Sequence, residues 1–404
     1  MRKKLFFYGF TGLVLFASLA AIIFGKDTLI KPDQGINPIT IFMCGDVMLG
    51  RGIDQILPHP GNPVIYESYM RSAKGYVELA ERINGPITRT AGYSYIWGDA
   101  LEALEQILPD LRIINLETSI TKSGDYWKNK GIHYRMHPDN IACLKAAKID
   151  FCSLANNHIL DWGYSGLKET LETLNKVNVK FAGAGIHLRE AETPAIFNIE
   201  NKCRVIILSC GMATSGIPPS WSATEDKPGV NWLKDLSDKT VHRIKEQVQQ
   251  VKRQGDIVIV SIHWGSNWGY GISSEQIKFA HKLVDEAGVN IIHGHSSHHV
   301  KGIEVYKDRP LIYGCGDFLN DYEGISGYEH FRDDLSLMYF VCMEPSTGRL
   351  VSLRMIPTQI KHFRVNEANK TDVLWLRNML NREGKRFGTY VALNEDNTFS
   401  LHWD

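Results

Sequence analysis

The sequence predicts an α/β protein built around a sheet buried on both faces, with an apolar segment ahead of it that is able to cross a membrane. Short, wholly apolar strands alternate with amphipathic helices, the pattern of a sheet covered on both sides. A polar or ionisable residue stands just past the end of five of those strands, where open α/β sheets bind their ligands. Residues 5–24 form an almost uncharged run of about 20 residues, enough to cross ~30 Å of hydrocarbon as a helix.

The elements follow in order. Arg2, Lys3 and Lys4 precede the apolar run and favour a cytoplasmic N-terminus, which puts everything after Gly25 outside the cell. Residues 1–25 read either as a retained single-pass anchor or as a signal peptide cut near Ser18-Leu19-Ala20, which would release a secreted protein. The run continues past that site through Ile22, Ile23 and Phe24, and this length favours the anchor. Residues 26–37 are polar, contain Pro32 and read as a linker. The main domain is expected over 38–362. Its strands are expected at 39–44, 111–114, 151–154, 204–209, 256–262 and 289–292, and its helices at 100–108, 139–147, 166–176, 240–253 and 275–287. Residues 55–98, rich in proline and tyrosine, read as a partly helical flap inserted over the site. Residues 363–404 read as a C-terminal helix with short strands.

Composition narrows the function. Lysine plus arginine equals aspartate plus glutamate, 45 each, so no global field draws the chain to nucleic acid, and any anion binding must be local. The seven cysteines are an odd number, most sit in apolar runs, and no C-x-x-C occurs. They read as core residues rather than as a disulfide framework or a zinc ribbon.

The residues that carry chemistry sit at the strand ends. Four of the fifteen histidines fall between His293 and His299, in a Gly/Ser-rich turn expected after an apolar strand. Neutral imidazole is a common ligand for zinc, iron and related metals, and His295 and His298 are favoured over His293 and His299. Gly294 is expected to turn the chain so that two rings converge. His263 ends another apolar strand. Asn157, His158 and Asp161 offer an amide, an imidazole and a carboxylate in one short stretch, and a carboxylate beside a histidine orients it and raises its basicity. Asp46 and Glu117 supply negative charge for a divalent ion that imidazoles alone would leave uncompensated. Arg51 could fork onto a phosphate or carboxylate, or form a surface salt bridge.

In this order the motifs resemble the CapA/PgsA family, named for roles in poly-gamma-glutamate capsule synthesis, which is itself similar to calcineurin-type metallophosphatases. The resemblance rests on Gly45-Asp-Val-Met-Leu-Gly-Arg51, Asn115-Leu-Glu117, Asn156-Asn-His-Ile-Leu-Asp-Trp-Gly163, Ala182-Gly-Ala-Gly185, His263-Trp-Gly265, Gly294-His295-x-x-His298 and Ile312-Tyr-Gly-Cys-Gly-Asp-Phe318, across residues 39–320. It implies a layered metallophosphatase-like sandwich around a buried mixed sheet. Asp46, Glu117, Asn157, His263, His295 and His298 would then surround one or two divalent ions of zinc, manganese or iron. His158, steadied by Asp161, would protonate a leaving group. Several positions depart from the metallophosphatase pattern. Asp46 is followed by Val47 and Met48 where Asp-x-His is usual, Glu117 replaces a bridging aspartate, and the closing histidine motif is one residue longer. In the CapA pattern, Asp317 stands where asparagine is common. A single metal or altered chemistry is compatible with these changes.

Three functions follow as expectations. The first is a metal-dependent hydrolase-type protein acting on an anionic extracellular polymer such as poly-gamma-glutamate, held at the membrane beside other capsule-synthesis proteins. The second is an envelope metallophosphoesterase. The third is a non-catalytic accessory or scaffold subunit that keeps a vestigial site.

Overall fold

Alternation along each strand decides which layer each side chain enters. In the strand Ile39–Val47, Ile39, Ile41 and Met43 point to one face and Phe42 and Cys44 to the other, and all five are buried. The strand Cys203–Met212 splits in the same way, with Val205 and Ile207 opposite Ile206, Leu208 and Cys210. So does Ile257–His263, with Ile257 and Ile259 opposite Val258, Val260 and Ile262. The first set from each strand joins one shared core, which lies between two sheets. Phe42 and Cys44 instead pack with Ile53, Leu104, Leu144 and Leu167 from helices, and Val258 and Val260 pack with Val241, Ile244, Phe279 and Leu283. The order of layers is therefore helices, sheet, sheet, helices.

The computed structural model describes residues 37–404, which form one compact unit. Within them the fold is mixed α/β, with a ten-stranded and a seven-stranded sheet. In the larger sheet Ile39–Val47 runs parallel to Leu111–Leu116, followed by Phe151–Ser153 and Lys180–Ala182, while Leu335–Glu344 pairs antiparallel on its other side. In the smaller sheet Ile257–His263 lies parallel between Cys203–Met212 and Ile291–His295, with Arg309–Ile312 beyond. The single buried sheet expected from sequence is thus two sheets face to face. A wholly apolar strand looks the same in sequence whether a helix or a second sheet covers it.

The last residues close the open end of the core between the sheets. Asn369 caps the helix Lys370–Gly384, which buries Val373, Leu376, Met379 and Leu380 there. The hairpin of Thr389–Leu393 and Phe399–Trp403 extends the larger sheet through Arg349–Ile360. In the expected flap, Lys74–Asn84 is helical, but Ile96 and Trp97 are core residues. The helix expected over 139–147 divides into a 3-10 turn, Pro138–Ile141, and a short α-helix, Ala142–Ala146. No helix among the described residues is long and apolar enough to cross a membrane. The apolar run at 5–24 and the linker at 26–36 lie outside the described residues.

One buried charge gives a stability prediction. Lys301 is 4% exposed, and among the described residues no carboxylate pairs with it. Burial, with Arg386 adding repulsion, lowers its ammonium pKa to about 8. The folded chain therefore binds fewer protons than the unfolded chain between about pH 8 and 10.5, and stability rises with pH across that window. Lys301→Met is expected to raise stability at pH 7 by on the order of 3 kcal/mol, with the gain shrinking toward pH 10, as chemical denaturation at both pH values would show.

Candidate functional site

Both sheets end at one place. The carboxyl ends of Ile39–Val47, Leu111–Leu116 and Phe151–Ser153 bring Asp46, Asn115, Glu117, Asn157 and His158 from the larger sheet. Ile257–His263 and Ile291–His295 bring His263 and His295 from the smaller one, paired in register. Asp317 arrives on Asp317–Leu319, which pairs with Ile39–Val47 directly opposite Asp46. This approach requires Gly45, because a Cβ there would stand 1.7 Å from the Gly316 carbonyl oxygen.

Asp46, Glu117 and Asp317 are all buried and offer oxygens within 4.8 Å of one another. Asn115 Nδ2 donates to Asp46 Oδ1 at 2.7 Å, and the Ser296 N–H donates to Oδ2 at 3.1 Å. Two donors do not offset the crowding. Burial first, then Asp317, push the Asp46 carboxyl up to about 8. Burial, Asp46 and Asp317 raise Glu117 well above the usual carboxylate range. Asp46 also forms a group with His263 and His295, whose ligand atoms lie within 4.8 Å of one another. Oxygen and nitrogen donors with an excess of buried negative charge fit a divalent cation such as zinc, manganese or iron.

The histidine run departs from expectation. His293, Gly294 and His295 lie on the strand Ile291–His295 rather than in a turn after it, so His293 and His295 share one face. Gly294 serves close packing, since a Cβ there would meet the Tyr313 and Ile312 carbonyl oxygens at 2.5 and 2.6 Å. His263 Nδ1 is 2.7 Å from His295 Nδ1, and its Nε2 is 2.9 Å from Asn157 Oδ1 and 3.7 Å from Glu117 Oε1. Burial lowers the pKa of both rings and keeps them neutral, the form that ligates metals. His298 lies outside the two groups of converging ligand atoms but borders one of them through Asp317. Its Nδ1 is 3.1 Å from Asp317 and its Nε2 meets Asn267. Burial works against its charge, but Asp317 outweighs it and raises the pKa.

Beside the group, His158 Nδ1 meets Asp161 Oδ2 at 2.6 Å and its Nε2 stands 3.9 Å from Glu117 Oε1. Lys130 Nζ lies 2.6 Å from Asp161 Oδ1 and 3.1 Å from His158 Nδ1, and the Tyr134 N–H donates to Asp161 Oδ2 at 2.6 Å. The Tyr134 ring stacks on the imidazole at 3.7 Å. Burial pushes Asp161 up to about 6 against the pull of Lys130, while burial, Lys130 and Arg51 hold His158 well below its ordinary pKa. A cavity of about 440 Å³ opens over Glu117, Lys130, Asn157, His158, His263 and His298, rimmed by Tyr69, Trp268, Tyr322 and Tyr328.

Arg51 is buried rather than at the surface, and its fork is already occupied. Its guanidinium pairs with Asp321 and, at 3.2 Å, with Glu67, and packs over Tyr76 at 3.8 Å.

Sequence reasoning thus named Asp46, Glu117, Asn157, His158, Asp161, His263 and His295, which the fold gathers together. It did not name Asn115, Asp317 or Lys130 for the site. Asn115 and Asp317 carried a signal, since both belong to the quoted motifs beside apolar strands. Lys130 lies in a polar loop with no pattern to mark it.

The family described as bacterial capsule synthesis protein PGA_cap matches residues 40–322. A probable polyglutamine synthesis accessory protein of Mycobacterium tuberculosis is 47% identical over 90% of this chain and 97% of its own length. The PGA biosynthesis protein CapA of Bacillus subtilis is 28% identical over 76% of this chain and 68% of its own. Among solved structures, a hypothetical protein from Thermus thermophilus aligns over 80% of this chain and 99% of its own at 12% identity, with a TM-score of 0.42. The chain belongs to the bacterial capsule synthesis protein family PGA_cap.

Proposed function

We propose that this protein is a metal-dependent, hydrolase-type member of its family, with a metallophosphatase-like layered fold, acting outside the membrane on an anionic polymer such as poly-gamma-glutamate. The observation that carries the reading is the buried group of Asp46, Glu117 and Asp317 beside His263 and His295. Three crowded carboxylates cost the fold free energy unless a cation shares the space. Asp46, Glu117, His263 and His295 would hold it, with Asp317 and Asn157 alongside. A bound divalent ion would supply Lewis acidity and a nucleophile usable near neutral pH.

The remaining work falls to side chains of this chain. Asp161 accepts from His158 Nδ1, which leaves Nε2 to exchange a proton with the substrate. Lys130 holds Asp161 in place and adds positive charge at the cavity wall. An anionic group entering the cavity favours the protonated imidazole, the form that donates to a leaving group. The apolar run before residue 37 would act as the anchor, with other capsule-synthesis membrane proteins as neighbours.

A second reading is an accessory subunit without turnover. It is favoured by the printed name of the Mycobacterium relatives and by Arg51 and Lys130, the arginine and lysine lining the cavity, both being paired already with carboxylates of this chain. Metal analysis separates the two readings. The full-length protein is expected to hold zinc, manganese or iron, and Asp46→Asn and His295→Ala are expected to lose it. Cleavage of poly-gamma-glutamate abolished in Asp46→Asn supports the polymer hydrolase. Turnover of a chromogenic phosphodiester, lost in the same variant, would instead make it an envelope phosphoesterase. A metal-free wild-type protein would sink both.

A further inference from the structure

Behind His295 lie two buried groups that the proposed chemistry does not use. Ser261 and His293 are both 0% exposed and sit directly opposite each other on adjacent parallel strands. The inward face of Ile257–His263 reads Ile257, Ile259, Ser261, His263, so the apolar core between the sheets gives way to polar groups just before the site.

The hydrogen bonds among these groups allow one order of protons. His293 Nε2 lies 2.7 Å from the Cys44 carbonyl oxygen, which can only accept, so Nε2 carries a hydrogen. Among the described residues no carboxylate pairs with His293, and an imidazolium there would be a buried charge without a counter-ion. Its Nδ1 is therefore a bare acceptor. Ser261 Oγ, 3.0 Å away, donates its one hydrogen to that Nδ1. The same oxygen lies 2.9 Å from His295 Nε2 and has only lone pairs left to offer, so His295 must donate from Nε2. Its bare Nδ1 then faces His263 Nδ1 at 2.7 Å and Asp46 Oδ1 at 3.9 Å.

We infer that the chain from the Cys44 carbonyl through His293 and Ser261 fixes His295 in the tautomer that presents Nδ1 to a divalent cation, making Ser261 and His293 positioning residues for the metal group. This rests on the metal reading above. The proton order itself is a property of the metal-free chain. The relay works because a hydroxyl can accept from one ring while donating to the next, and replacing it with a methyl disconnects the two imidazoles. His295 would then divide between tautomers, and the one with hydrogen on Nδ1 cannot ligate through that atom.

The test uses the full-length protein labelled with 15N at histidine. Long-range 1H–15N correlation on the metal-free wild type is expected to show His295 protonated at Nε2 alone, and Ser261→Ala to show a mixture. Zinc affinity, measured by competition with a chromophoric chelator, is expected to fall about 10- to 100-fold in Ser261→Ala. Ser261→Thr, which keeps the hydroxyl, is expected to retain both the tautomer and the affinity. A wild-type His295 carrying its hydrogen on Nδ1 overturns the inference, as does wild-type zinc affinity in Ser261→Ala. Equal losses in the Ala and Thr variants, accompanied by a lowered Tm of the metal-free chain, would reduce Ser261 to a packing role and also overturn it. A wild type that binds none of zinc, manganese and iron overturns the metal reading, and the His295 tautomer then decides the proton order by itself.

Discussion

His158→Asn is expected to slow turnover of a substrate with a poor leaving group by about 10²- to 10⁴-fold, the range a positioned proton donor supplies. The variant should keep its metal, because His158 lies beside the group of ligating atoms rather than within it. The loss should depend on the leaving group. An alkoxide needs a proton as the bond breaks and suffers the full decrease, whereas p-nitrophenolate leaves without one and suffers little. Asp161→Asn should show the same dependence with a smaller loss, since it disturbs the imidazole's orientation but leaves Nε2 present. A uniform loss across leaving groups, or loss of metal in His158→Asn, would remove the proton-donor role.

The second large effect concerns stability. Arg51→Met is expected to destabilise the fold by about 3–5 kcal/mol, because it leaves Glu67 and Asp321 buried without their cation. Glu67 and Asp321 have side chains 0% exposed, and Arg51 itself is held at φ 45°, a left-handed backbone unusual for arginine. Arg51 joins three distant segments: Glu67 from the loop before the helix Lys74–Asn84, Asp321 from the loop 270 residues away, and the turn after Asp46. The triple variant Arg51→Met/Glu67→Gln/Asp321→Asn should recover part of the loss, since it removes the stranded charges as well. Urea denaturation of the variants measures both effects, and a loss below about 1 kcal/mol in Arg51→Met would mean that water or a neighbouring tyrosine satisfies the carboxylates.

Much of the site could be read in the sequence because strands deliver their ends predictably. Asp46, Glu117, His263 and His295 each follow or close an apolar run, and the fold brings all four to one place. The histidine run was harder to read. A strand and a turn fit Ile-Ile-His-Gly-His equally well when glycine is taken as a hinge, and only the neighbouring Tyr313 and Ile312 carbonyls show that Gly294 is there for close packing. Lys130 was out of reach, because its role depends on a loop folding back onto Asp161.

What the sequence determined by itself was the alternation of strands and helices and the polar residues at the strand ends, because both follow from local spacing. Tertiary structure alone decided that two sheets share one core, that Arg51 is buried between two acids, and that Asp46 shares its space with Asp317. Those outcomes depend on what covers each group. Desolvation and the nearness of like charge arise only when segments far apart in the chain are packed against one another.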